Sequence, residues 1–145
     1  MNKKLTLDTV VNRLKKQLER CITENRIDLV DNYDTYDQDY LNKLEEQLMI
    51  IKDVSNDANK KKHSDGKTNQ YYIYRLSNLH AKRVSLEKVS TDDVIDVNLD
   101  AQQQLVADEI SDIKQKLDDF NKSKTVKVNL DPDLKDLFIE WGLEL

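Results

Sequence analysis

The stretch NKKKHSDGKTNQYYIY, residues 59–74, decides the fold. It holds four lysines, one of the two histidines, one of the two glycines and three of the six tyrosines. Its first half, with the preceding SNDA, is polar, carries Gly66 and has no apolar repeat, so it reads as a loop. From Tyr71 the pattern changes. In YYIYRLSNLHAKRVSLEKV, 71–89, Tyr72/Ile73, Leu76, Leu79, Val84 and Leu86 recur at helical spacing. Upstream, Val30, Tyr33, Tyr36/Tyr40, Leu44, Leu48 and Ile51 lie three and four apart and predict one long helix over about 28–54. Two helices flanking a polar loop make a helical hairpin, with the lysines at its solvent tip and the tyrosines opening its return helix.

Outward from this hairpin, Leu7, Val11, Leu14, Leu18 and Cys21 form a narrow seam that predicts a first helix over 6–25, with Thr6 or Asp8 as its cap. Cys21 falls on the seam, which favours a small buried group over a nucleophile or metal ligand. After the hairpin, STDDVIDVNLD at 90–100 reads as an acidic connector. Val106, Ile110, Ile113, Leu117 and Phe120 then predict a helix over 101–121. The end of the chain differs in kind. TVKVNL, 125–130, alternates like a short strand, and DPDLKDLFIEWGLEL follows with Asp131 as cap, Pro132 at the first helical position and Gly142 as a left-handed stop. Leu134, Leu137, Phe138 and Trp141 share one face of this last helix. They either pack back on the hairpin or serve as partner-binding anchors.

Four segments result: a basic helix over 1–26, the hairpin and oligomerisation core over 27–90, an acidic connector with helix over 91–122, and a partner-docking segment over 123–145. The fold class is mainly all-α. Composition agrees, because 35% of the 145 residues are charged, 38% are hydrophobic and only two are glycine, as suits long helices with charged outer faces. The core available to one copy is thin, which favours self-association. The hairpin keeps its two tyrosine sets apart within one chain. Tyr33, Tyr36 and Tyr40, with Tyr72, Leu76 and Leu79, are therefore the candidate oligomerisation residues.

The net charge of −5 is distributed in blocks. Lys and Arg minus Asp and Glu gives +4 over 1–26, −7 over 27–58, +6 over 59–88 and −8 over 89–145. Such blocks can pair with one another or offer basic faces to nucleic acid. Lys3, Lys4, Arg13, Lys15, Lys16 and Arg20 in the first block are DNA-binding candidates, as are Lys60, Lys61, Lys62 and Lys67 in the loop. They would act by releasing counterions from phosphates, without reading sequence.

The residues point away from catalysis. No phosphate loop, dinucleotide fingerprint or serine elbow is present. DNYDTYDQDY, 31–40, lacks the central glycine and final glutamate of a calcium loop, and His63 and His80 have no partners at zinc spacing. No enzyme, no cofactor and no metal are expected. A single cysteine and the lack of any apolar run approaching about 20 residues predict a soluble, cytoplasmic protein with no membrane partner.

Residues 28–90 resemble the core of phage terminase small subunits, especially those of phages infecting low-GC Gram-positive hosts. DLVDNYDTY (28–36) opens a long helix, LEEQL (44–48) lies within it, and HSDGKTN (63–69) is the glycine-containing loop before the return helix. Gln70 stands where that family frequently has proline, and no standard DNA-reading domain precedes the hairpin. The resemblance implies a non-enzymatic DNA-packaging factor: a homo-oligomer, in that family a ring, that binds double-stranded genome DNA and engages the large terminase subunit. The cytoplasm would then be that of the infected host. The other reading of the residues is a small acidic helical adaptor or inhibitor that binds one host or viral protein and no DNA.

Overall fold

In a computed structural model of the chain, residues 1–89 and 97–145 are described, apart from the Val97 side chain. Of the acidic connector read over 90–100, residues 90–96 lie outside the described residues, and 97–100 form the first turn of a helix that was expected to begin at 101. The chain is mainly α-helical with one two-stranded sheet. In order come β1 (Asn2–Thr6), a π-helical segment (Thr9–Lys15) continuous with α1 (Lys16–Asp31), α2 (Gln38–Asn59), α3 (Asn69–Glu87), α4 (Val97–Ser123), β2 (Thr125–Asn129), a 3-10 turn (Pro132–Leu134) and α5 (Lys135–Glu140). Among the described residues no helix is long and apolar enough to cross a membrane.

These elements form two compact units. The first is discontinuous, built from Met1–Ala58 and Asn121–Leu145; the second is Asn59–Phe120. The two stretches expected to form one hairpin, 28–54 and 71–89, fall in different units. Leu41, Leu44 and Ile51 of α2 lie in the core of the first unit, whereas Tyr72 and Leu79 of α3 lie in that of the second.

In the first unit β1 and β2 pair antiparallel, Asn2 opposite Asn129 and Thr6 opposite Thr125. Bonds from Leu7 N–H to Lys124 C=O (2.7 Å) and from Leu130 N–H to Met1 C=O (2.8 Å) extend the ladder at both ends. The strand read in TVKVNL is present. Its partner is the start of the chain, where a helix was expected from residue 6. Leu5, Val126 and Val128 face the core, which also holds Val10, Leu14, Leu18, Ile22, Leu130, Leu134, Phe138 and Leu143.

The buried positions 10, 14, 18 and 22 are spaced by four, not by the alternating three and four of the expected seam. The π-helical turn at Thr9–Lys15 accounts for the start of this drift, because a wider turn advances less per residue and keeps positions four apart in line. Val11 and Cys21 flank the buried line. Cys21 is half-buried, its sulfur accepts from Asn25 Nδ2 at 3.4 Å, and burial followed by the nearby Glu24 carboxylate pushes the thiol pKa up. That places it among packing groups and away from reactive thiolates.

The long helix expected over 28–54 is broken. α1 ends at Asp31, where Asn32 N–H bonds Asp28 C=O at 2.8 Å and Asn32 Nδ2 bonds the Asp28 carboxylate at 2.6 Å. α2 starts after Asp37, whose Oδ1 accepts from Asp39 N–H at 3.0 Å. The Asp37 side chain thus takes a backbone N–H, a local bond by which Asp favours helix ends over helix interiors.

The second unit has a smaller core: Tyr72, Leu79, Val106, Ile110 and Ile113, flanked by Leu76, Leu86 and Leu117. α3 and α4 run antiparallel, since Tyr72 meets Lys116 and Arg75 meets Glu109 (2.6 Å).

Candidate nucleic-acid interface

The loop between α2 and α3 is an ordered structure, tied down by its own polar groups. His63 N–H bonds Lys67 C=O at 2.8 Å, Gly66 N–H returns to His63 C=O at 3.0 Å, and Asn69 N–H reaches Lys61 C=O at 2.9 Å. Gly66 sits at φ +84°, the left-handed conformation that a turn this tight requires and that a Cβ would strain. Asp65 Oδ1 accepts from Lys67 N–H at 2.9 Å, and Thr68 caps α3 by accepting from Tyr71 N–H at 3.0 Å.

Side chains fasten the loop to the helices of its unit. Asn69, 1% exposed, donates to Asn59 Oδ1 at 2.9 Å and shares a 2.8 Å hydrogen bond with His63 Nε2. The His63 ring stacks on Phe120 at 4.7 Å and meets the Tyr72 edge at 4.9 Å. The Tyr72 hydroxyl donates to Asp65, and Lys116 Nζ donates to the same hydroxyl at 3.2 Å and to Asp65 Oδ2 at 3.5 Å. Sequence reading places His63 in a plain loop and does not anticipate this network. The signal for it is the concentration of His, Asp, Gly, Thr and Asn in seven residues.

The Tyr72 hydrogen bond, then the Lys67 N–H, hold the Asp65 carboxyl down to a pKa of about 2. A carboxyl lowered from its unfolded value near 3.9 stabilises the fold above that value, and the contribution is lost as pH falls through the folded pKa. We expect amide protection at Gly66–Asn69 to hold at pH 5 and to decline between about pH 4 and 2. Asp65→Asn should remove that dependence. Unchanged protection at pH 2 in the parent protein would show that the carboxylate does not fasten the loop.

With these groups turned inward, Lys60, Lys61, Lys62 and Lys67 all remain exposed. Lys67 lies 4.9 Å above the exposed Tyr71 ring, and Tyr74 follows on the same helix, 64% exposed. The loop thus presents four exposed cations, one of them over an accessible aromatic ring, an arrangement suited to phosphate contacts.

The N-terminal candidates divide differently. Lys4, Lys16 and Arg20 are exposed. Lys3 stands on the inward face of the ribbon, opposite Val128, and is half-buried. Arg13 reaches Gly142 C=O at 3.4 Å, and Lys15 pairs loosely with Glu19 at 4.0 Å. Only part of that set forms an open basic surface.

The oligomerisation candidates are mostly interior. Tyr72 and Leu79 are core residues of the second unit, and Leu76 packs against them. Tyr36 and Tyr40 pack on the first core, and the Tyr36 hydroxyl donates to Asn25 Oδ1 at 2.6 Å. Of the six, Tyr33 alone stands open, at 77% exposure. The partner-binding candidates are likewise committed: Leu134 and Phe138 are 1% and 0% exposed, and Leu137 and Trp141 pack against the same core. Of the two roles open to the C-terminal segment, it takes up internal packing. Asp131, Pro132 and Gly142 play the parts read for them, with Asp131 capping the 3-10 turn and Gly142 at φ +87°.

Among the described residues no group of three or more His, Cys, Asp or Glu side chains is placed to hold a metal ion. No family model, no curated protein and no solved structure matches this chain.

Proposed function

We propose that the chain is a non-enzymatic, oligomeric factor that binds double-stranded DNA, with genome packaging alongside a large terminase subunit as the setting that the resemblance in 28–90 implies. One observation carries the DNA part. The loop spends its polar backbone and its His63, Asp65 and Asn69 side chains on internal bonds, and leaves all four of its lysines exposed. A rigid cationic tip loses less freedom on meeting phosphates than a mobile one.

The test is fluorescence anisotropy with a labelled mixed-sequence duplex over a salt series. Binding should weaken steeply with salt. Replacing Lys60, Lys61, Lys62 and Lys67 by alanine should flatten the slope of log affinity against log salt by about 3 to 4, close to 0.9 for each phosphate no longer neutralised. An unchanged slope would remove the loop from the interface.

A different observation favours the adaptor reading. Ile27, Val30 and Tyr33 are 58%, 78% and 77% exposed near the end of α1. Ile27 and Val30 line a shallow hollow of about 360 Å³ with Thr23, Arg26 and Asp31. With the C-terminal segment committed to the core, a protein partner would dock here. Absence of duplex binding at low salt, with partner capture abolished in Val30→Asp, would favour that reading.

A further inference from the structure

The outward face of the β1–β2 ribbon has an unusual order. Residues opposite one another in an antiparallel pair share a face, and the register places Asn2 across from Asn129, Lys4 across from Lys127 and Thr6 across from Thr125. Each rung therefore repeats one residue type, and the types are Asn, Lys and Thr. The other face, with Leu5, Val126 and Val128, is buried on the core, so the outward set is not needed for packing. Asn2, Lys4, Thr125, Lys127 and Asn129 are exposed. Thr6 is half-buried and bonds Thr9, and Asn129 Oδ1 accepts from the Met1 amine at 3.2 Å. Asn2, Lys4, Thr125 and Lys127 are the groups most open to a ligand.

Charge sharpens the point. Residues 1–7 and 121–130 contain Lys3, Lys4, Lys122, Lys124 and Lys127 and not one carboxylate, in a chain with 28 Asp and Glu. Lys4 and Lys127 also stand directly opposite, an arrangement that destabilises a sheet unless an anion lies between the two ammonium groups.

We infer that this ribbon face enters the major groove of double-stranded DNA and makes base-edge contacts there. The inference rests on the DNA-binding reading above and assigns it a second, sequence-reading site. The dimensions suit the groove. Two strands lie about 4.8 Å apart, within a major groove about 12 Å wide that admits a two-stranded ribbon. Outward positions 2, 4 and 6 span about 13 Å, the rise of about four base pairs. Asn can bond adenine, Lys the O6 and N7 of guanine, and Thr either an acceptor or the thymine methyl. The deep, narrow major groove of A-form RNA would exclude such a ribbon, which makes DNA the occupant.

The test compares Lys4→Gln/Lys127→Gln with the parent protein, on a labelled duplex of about 20 base pairs and on the corresponding A-form RNA duplex. The double variant should bind the DNA duplex about tenfold more weakly and discriminate less than the parent between duplexes of different base sequence, which is the readout of a lost base-edge contact. Lys4→Arg/Lys127→Arg should restore binding. The Gln variant should melt no lower than the parent, since it removes a like-charge pair, and this separates weakened binding from impaired folding. Parent-like DNA affinity in the Gln variant, with binding abolished in the loop-lysine variant, would overturn the ribbon assignment and leave the DNA-binding reading standing. In that case the lysines serve only to keep exposed strand edges from pairing with other chains. RNA bound as tightly as DNA would also overturn it. No duplex binding by the parent at low salt would overturn both.

Discussion

Replacing Gln47 by alanine is expected to lower the stability of the unit formed by Met1–Ala58 and Asn121–Leu145 by about 2 to 4 kcal/mol. Gln47 is 1% exposed on the buried face of α2. Its Nε2 donates to Asn129 C=O at 3.0 Å, and its Oε1 accepts from Asp131 N–H at 2.7 Å. Asn129 is the last residue of β2 and Asp131 the cap of the 3-10 turn, so both groups lie at the junction of the two elements. One amide supplies a donor and an acceptor at once, which joins α2 to the turn that aims the C-terminal segment at the core. Alanine would leave both backbone groups without this partner, at about 1 to 3 kcal/mol for each group that is fully desolvated. Amide exchange at Asp131 and Leu130 is the measurement, because a whole-chain melting point mixes two units. Gln47→Glu adds a sign. Its carboxyl can bond Asn129 C=O only when protonated, so its folded pKa is raised and stability should fall as pH rises through that value. A loss below about 0.5 kcal/mol in Gln47→Ala would mean that the two bonds contribute little.

Phe138→Ala should cost about 3 to 5 kcal/mol, enough to unfold the first unit if its total stability lies at the low end of the usual range. Phe138 is fully buried with Val10, Leu14, Leu134 and Leu143, and Trp141 meets its ring at a centroid distance of 6.0 Å and an interplanar angle of 63°. Trp141 is only partly buried, so Trp141→Ala should cost less. Hydrogen exchange at Leu7 and Leu130, which close the two ends of the ribbon, should rise together in Phe138→Ala. If the variant kept parent-like protection there and failed only in the capture of a partner protein, the C-terminal helix would be a docking epitope and not part of the core.

The helical class is legible in the sequence, along with β2, the capped final helix and the loop, although the SNDAN at 55–59 read as part of that loop continues α2, with Ser55 and Ala58 buried. Each has a local signal: apolar spacing, Gly66, alternation in TVKVN, and the Asp-Pro start with its Gly142 stop. What stays hidden depends on distant partners. β1 offers Leu5 as its one strong apolar residue, and its strand state comes from pairing with residues more than a hundred positions away. The tyrosines at 33, 36 and 40 imitate a helical stripe across the break between α1 and α2, where Asn32 leaves helical geometry and the Asp37 side chain takes the Asp39 N–H. Gln47 lies between Leu44 and Ile51 on the stripe. The apolar rule selects Leu48 there, yet the amide is the more deeply buried because two backbone groups await it. For the candidate interface, the lysines of the loop are visible as charge. The inward bonds that hold them in place are not, and neither is the matched ribbon face, which exists only once the register is known.

The discontinuous first unit has a consequence for the order in which the molecule is made. Residues 59–120 emerge from the ribosome as a continuous block and can close on themselves while the chain is still growing. Met1–Ala58 must wait. Its first strand pairs Asn2 with Asn129, and its core lacks Leu130, Leu134, Phe138 and Leu143 until those residues are synthesised. During that interval Leu7, Val10, Leu14 and Leu18 have no cover from the C-terminal segment, and β1 offers an unpaired edge to any neighbouring nascent chain. Two consecutive lysines in that strand, Lys3 and Lys4, are a safeguard against premature association at the stage when the chain is most exposed to it.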